Sequence, residues 1–421
     1  MADNSIINVN LFGQEIGRIG LNENDKRSSF QYNPDFLDSR DLANVIPQTG
    51  IIRRTSHVQL FSQFDNGTFK GIPPQIADSL PDMFGSIIFK AWLEAKDHHS
   101  ISVLEQLAYV SNRGMGAMEY SPSKELPRNV TIDLAEIIEV LRDVMDMKKS
   151  SGQKKLSNQA LINIFRIGSS AGGARPKILI SESKNDGIVI PGDLEYSDDY
   201  DHYLVKLAID EDLDYPREVI EYCYYQILRK VGIRIMDSKL IEGKHFATLR
   251  FDREDGEKKH VLTASGMTGW DFKDASNSSY ENLFKLCSFL KIPHAETEEL
   301  YKRMIFNIIY GNTDDHLKNH SFIYNRERND WNLSPVYDVT YALNPLIDFK
   351  NSIRALSINK KRSKINFADV LKIAEYFTIK NPRGIIENIQ SKKVELLDLL
   401  NENGVPDRVI DSISEKIVNL L

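Results

Sequence analysis

The sequence predicts an α+β chain with a bilobal core and an additional β-rich domain at its amino terminus. Three observations predict it. Alternating apolar and polar runs open the chain and recur after residue 177, helical periodicity takes over from Ser279, and a polar run at 148–155 separates the first region from the rest. The expected boundaries are 1–148 for the amino-terminal domain, 149–262 for a small β-rich lobe and 263–421 for a mainly helical lobe.

In chain order, Ile7 to Leu21 alternates around Phe12-Gly13-Gln14 and reads as a β-hairpin, with a further strand near Phe30-Gln31-Tyr32. Ala77-Asp78-Ser79-Leu80-Pro81-Asp82 looks like a helix start leading into Met83–Glu94, and a second helix is expected over Ile132–Lys148. The stretch Met115–Leu126 between them reads as loop. A Gly-rich loop at 168–177 is followed by strands at Ile178–Ser181 and Tyr203–Leu207. A helix then runs from Pro216 to Val231, where Gly232 stops it. Strands at Lys244–Phe251 and Lys259–Leu262 complete the small lobe. Helices follow at Tyr280–Phe289, Glu296–Tyr310, Phe367–Phe377, Pro382–Asn401 and Asp407–Leu420.

Composition narrows the function. With 421 residues and 41% hydrophobic content the chain can bury two or three cores. A formal net charge of −7 argues against nucleic acid as the main ligand. Cys223 and Cys287 sit in apolar helical surroundings, as buried thiols of a reducing compartment do. No stretch approaches the roughly eighteen apolar residues needed to span a bilayer, and the start of the chain lacks a signal pattern, so the expectation is a cytoplasmic protein with no membrane partner.

The chemistry concentrates at 311–338. Gly311-Asn312-Thr313-Asp314-Asp315-His316-Leu317-Lys318-Asn319 contains Asp-x-x-x-x-Asn, and Ser334-Pro335-Val336-Tyr337-Asp338 supplies a later Asp. Phosphoryl transfer needs a base near the attacking hydroxyl and hard oxygen ligands for Mg²⁺, in that chain order. Asp314, Asn319 and Asp338 fit those roles.

Upstream, Gly168-Ser169-Ser170-Ala171-Gly172-Gly173-Ala174-Arg175-Pro176-Lys177 has the small residues that let backbone N–H groups approach a triphosphate. It is not a Walker A loop, because Pro176 precedes Lys177 and Ile178 follows it. Lys206 interrupts the apolar strand Tyr203-Leu204-Val205-Lys206-Leu207, where kinases hold the α- and β-phosphates, and the next helix offers Glu218 and Glu221 as its ion-pair partner.

With these residues in view the chain resembles the HipA family, serine/threonine kinase toxins of bacterial type II toxin–antitoxin modules. Further matching segments are Arg250-Phe251-Asp252-Arg253 and Ile76-Ala77-Asp78-Ser79-Leu80-Pro81-Asp82. The resemblance implies a protein-kinase-like fold with ATP and Mg²⁺ as cofactors. It makes Asp314 the catalytic base and Asn319 and Asp338 the metal ligands. It puts Ala171, Gly172, Gly173, Ala174, Lys177, Lys206, Glu221, Leu249, Phe251, His316 and Lys318 at the nucleotide, with Leu249 and Phe251 meeting adenine through their backbone. It also implies autophosphorylation at Ser170, with Ser169 as the alternative, and expulsion of the modified loop. Arg175-Pro176 departs from the founding member's Gln-Glu pair, and the fixed φ of Pro176 bears on how that loop moves. The implied partners are a protein substrate such as an aminoacyl-tRNA synthetase and a small helix-turn-helix antitoxin, with DNA reached only through the antitoxin.

Two other readings compete. A pseudokinase or scaffold partner of a DNA-binding repressor would keep the fold and bind partners without turnover, and the presence of every candidate catalytic residue counts against it. Small-molecule kinases usually carry His at the start of the loop, where this chain has Gly311-Asn312-Thr313.

Overall fold

A computed structural model describes residues 6–22, 27–39, 44–80, 102–123, 176–192, 197–209, 215–342 and 353–421. The chain is α+β, with a β-rich amino-terminal unit followed by a small β-rich lobe and a larger, mainly helical lobe. The expected helices at Met83–Glu94 and Ile132–Lys148, the polar run at 148–155 and the Gly-rich loop through Arg175 lie outside the described residues.

The first sheet is antiparallel, in the order β4-β3-β2-β1-β5, from β1 (Ile6–Leu11), β2 (Gln14–Asn22), β3 (Arg27–Tyr32), β4 (Gln59–Phe61) and β5 (Met118–Ser121). Phe12 and Gly13 turn β1 into β2 with φ of 52° and 76°, as a tight hairpin requires. Ile7, Val9 and Leu11 alternate inward and are fully buried. Short helices α1 (Pro34–Asp38) and α2 (Pro74–Ala77) and the longer α3 (Val103–Val110) flank the sheet; a Ser102–Glu105 capping box starts α3. The segment Met115–Leu126, expected as loop, contains β5, which pairs with Asn8–Leu11. Its partner lies more than a hundred residues away, beyond the reach of local pattern.

The second sheet runs β7-β6-β8-β10-β9, from β6 (Lys177–Ser183), β7 (Val189–Pro191), β8 (Tyr200–Lys206), β9 (Ser238–Ile241) and β10 (His245–Leu249). Helix α4 (Arg217–Lys230) packs its buried Val219, Ile220, Cys223, Tyr224, Ile227 and Leu228 into the core, and Gly232 ends it at φ 73°. A hairpin, β11 (Arg253–Glu254) with β12 (Glu257–Lys258), leads to β13 (Val261–Thr263). The strand expected to complete the small lobe is this β13, and it pairs elsewhere: with β14 (Ser321–Asn325), which also pairs with β15 (Asp330–Leu333). Backbone pairing to the strand after the candidate loop outweighs chain proximity to β10.

Helices α5 (Ala264–Thr268), α6 (Tyr280–Phe289), α7 (His294–Ile309), α8 (Phe367–Tyr376), α9 (Pro382–Gln390), α10 (Lys393–Glu402) and α11 (Asp407–Lys416) build the larger lobe. The single helix expected over Pro382–Asn401 is two, divided at Ser391-Lys392, where the Ser391 N–H caps α9 by donating to Glu387 O. Cys223 and Cys287 are both buried free thiols, and burial pushes each up to about 12. Among the described residues no helix is long and apolar enough to cross a membrane.

Candidate active site

Strand β8 ends at Lys206, directly opposite Lys177 at the start of β6. Facing residues of an antiparallel pair share a face, so two buried ammonium groups stand side by side, an arrangement that costs free energy unless anions compensate it. Part of that compensation is visible. Lys206 Nζ lies 2.6 Å from Glu221 Oε1 on α4, and it also meets Asp338 Oδ1 from the turn after β15. Asp338 has φ 56°, a conformation few residues but glycine adopt without strain.

The loop from Gly311 to Asn319 joins α7 to β14. Gly311 sits at φ 70°, and an added Cβ would stand 3.0 Å from the Tyr341 ring, so the turn requires glycine. Asp314 is exposed, and its carbonyl accepts the His316 N–H at 2.9 Å and Asn319 Nδ2 at 2.9 Å. Asn319 thus spends its amide nitrogen on the loop, which leaves Oδ1 outside that bond. Leu317, fully buried, anchors the turn between Asp314 and Asn319.

A buried polar network lies beneath the loop. Arg354 Nη2 donates to Asp315 Oδ2 at 2.9 Å and to Asn312 O at 2.8 Å, and Tyr280 OH donates to Asp315 Oδ2 at 2.6 Å. Asn307 donates to Tyr280 OH and accepts from Asn312 Nδ2, both at 3.0 Å, while the Ala355 N–H donates to Thr313 O at 2.8 Å. These contacts leave the loop few ways to shift.

Tyr337 couples the loop to the segment after β10. Its hydroxyl, kept protonated because burial pushes its pKa up, donates to Lys318 O at 2.7 Å, and its ring stacks on Phe251 with centroids 5.7 Å apart. Next to Phe251, Asp252 accepts from Arg250, Arg253 and the Gly116 N–H at 2.7–3.0 Å. Burial works against that charge, but the two guanidinium groups prevail and hold the carboxyl well below the usual range. Gly116 ties this cluster to the amino-terminal unit.

Lys206, Glu221 and Asp338 are therefore in direct contact, with Lys177 opposite. Asp314, His316, Lys318 and Asn319 share one hydrogen-bonded loop, and Leu249 and Phe251 flank the turn that Tyr337 covers. Ser169, Ser170, Ala171, Gly172, Gly173 and Ala174 lie outside the described residues.

Comparison with known proteins places this arrangement. The HipA-like C-terminal domain matches residues 169–397, more than half of the chain, and the HipA N-terminal domain matches residues 7–121. The chain belongs to the HipA family. A HipA chain of Shewanella oneidensis MR-1, solved with HipB and operator DNA, is similar in fold with a TM-score of 0.65 and 15% identity, over 98% of this chain and 95% of that one. A Haemophilus influenzae protein provisionally named a kinase is 26% identical over 238 residues, which cover 51% of this HipA-family chain and just under two thirds (65%) of that relative.

Several residues that build the site escaped the sequence reading. Arg354, Tyr280, Asn307 and Tyr337 had no assigned part. Arg303 also had none; it donates to Ser334 O at 2.7 Å and steadies the approach to Asp338. A buried Arg in an apolar helical run, Met304-Ile305-Phe306 following it, was the available signal.

Proposed function

We propose that this HipA-family chain is an ATP- and Mg²⁺-dependent serine/threonine-protein kinase, the toxin of a type II toxin–antitoxin module. The observation that carries the reading is the contact of Lys206 with both Glu221 and Asp338, opposite Lys177. Two buried cations on one sheet face fit the phosphates of a nucleotide, and the Glu221 ion pair fixes one of them in place. The donor set also suits Mg²⁺: Asn319 Oδ1 and the partly exposed Asp338 carboxylate are hard oxygens. When bound, that cation neutralises charge building on the β- and γ-phosphates.

In this reading Asp314 takes the proton of the attacking hydroxyl. Its side chain is exposed at the surface of the loop, while its backbone carbonyl is held by His316 and Asn319. Lys177, Lys206, His316 and Lys318 receive the phosphates with the backbone of Ala171–Ala174. The carbonyl of Leu249, whose N–H is already spent on Asp237 O at 2.9 Å, and the backbone of Phe251 would hold adenine.

The finer parts extend the same reading. Ser170, or Ser169, is the autophosphorylated residue, where added negative charge would compete with the nucleotide for one cradle. The acceptor is a protein, in the family an aminoacyl-tRNA synthetase, and the HipB in the Shewanella complex supports a small DNA-binding antitoxin as partner. Incubating the full chain with γ-labelled ATP and Mg²⁺ tests the activity; label on serine or threonine is expected, and none on any protein would remove the kinase reading.

A further inference from the structure

Asp78 belongs to the Ile76–Asp82 segment of the amino-terminal unit and follows α2, yet its side chain reaches into the larger lobe. Oδ2 accepts the Thr263 N–H at 2.7 Å and Oδ1 accepts the Thr263 hydroxyl at 2.8 Å. That hydroxyl in turn accepts the Gly266 N–H at 3.0 Å, so its own proton is committed to the carboxylate. The approach is close enough that a Cβ on Gly266 would fall 2.5 Å from Asp78 Oδ2, which only glycine avoids.

The corner that Asp78 grips adjoins the candidate loop. Thr263 pairs with Ser321, two residues beyond Asn319, and the Ala264 N–H donates to His320 O at 2.7 Å. Lys318 lies within electrostatic reach of the Asp78 carboxylate and of Lys70 on the same amino-terminal unit. The Lys318 ammonium also stands 5.6 Å from the Phe272 ring centroid, while its carbonyl is held by Tyr337. A carboxylate of the amino-terminal unit is therefore within electrostatic reach of a cation of the candidate loop.

Building on the kinase reading, we propose that Asp78 is a positioning residue for phosphoryl transfer: it clamps the Thr263 corner and holds the Lys318 ammonium toward the transferring phosphate. The amino-terminal unit thereby supplies part of the active site's geometry. Burial raises the Asp78 pKa, and Lys318 and Thr263 offset this only in part.

The test is a double-mutant cycle on the full chain with Asp78→Asn, Lys318→Met and both together. The acceptor is the full-length Asp314→Asn chain, and the readouts are initial rates with labelled ATP and melting temperature. Asp78→Asn should slow transfer about tenfold at saturating ATP, with the melting temperature unchanged or higher, and should cost less than about twofold in the Lys318→Met background. The same loss in both backgrounds, no loss at all, or a lowered melting temperature that tracks the rate would overturn the proposal. Absence of transfer by the parent chain would instead count against the kinase reading, and non-additive melting shifts would then still decide whether Asp78 and Lys318 are paired.

Discussion

Lys206 Nζ and Glu221 Oε1 lie 2.6 Å apart in a nearly dry setting, and Asp338 closes on the same ammonium from the opposite lobe. One lysine thus carries the contact between the sheet of the small lobe and the turn after β15. Removing it strands a buried carboxylate, which is far more costly than losing a surface pair.

Lys206→Met is expected to reduce nucleotide affinity about ten- to a hundredfold, the worth of a charge-assisted contact to phosphate. Titration of a fluorescent ATP analogue measures it. Lys206→Arg should recover only part of the loss, since the guanidinium fork does not reproduce a point charge.

Asp338→Ala should weaken nucleotide binding more with Mg²⁺ than without it, because the side chain is assigned to metal rather than to the base or ribose. Equal losses in both titrations would mark a general folding defect and remove the metal role.

The Arg354–Asp315 pair beneath the loop predicts a stability effect. Arg354→Ala leaves the Asp315 carboxylate buried with Tyr280 but without its cation, at a cost of about 3–5 kcal/mol. Urea denaturation should show it, and a midpoint within experimental error of the parent would exclude the network as a support of the loop.

Asp252 predicts a pH dependence. Burial opposes its charge, but Arg250 and Arg253 hold its folded pKa well below the unfolded value. A depressed carboxylate adds stability that is present above the unfolded pKa of about 4 and is lost as pH falls through the folded value. Asp252→Asn should therefore lower the melting temperature at pH 7, and the gap to the parent chain should narrow below about pH 4.

The pieces of the site that sequence revealed are those whose chemistry is written locally. Lys206 stands out because it interrupts an apolar strand, and Asp314, Asn319 and Asp338 because their order along the chain matches a reaction. The supports beneath them are written across distance. Arg354 and Asp315 are 39 residues apart, Tyr280 and Asp315 are 35 apart, and Gly116 and Asp252 are 136 apart, so no spacing rule joins them. The same limit hid β5, and it assigned β13 to the wrong sheet, because strand partners are chosen in space. Helix α6, by contrast, was legible to the residue: Ser279 caps it and its apolar stripe is continuous.

The central claim rests on Asp314, and single-turnover transfer from labelled ATP tests it most directly. Asp314→Asn should slow transfer on the order of a hundredfold to ten-thousandfold, while leaving Mg²⁺–ATP binding largely intact, because the cradle around Lys206 is untouched. Transfer at the parent rate by Asp314→Asn would contradict the account.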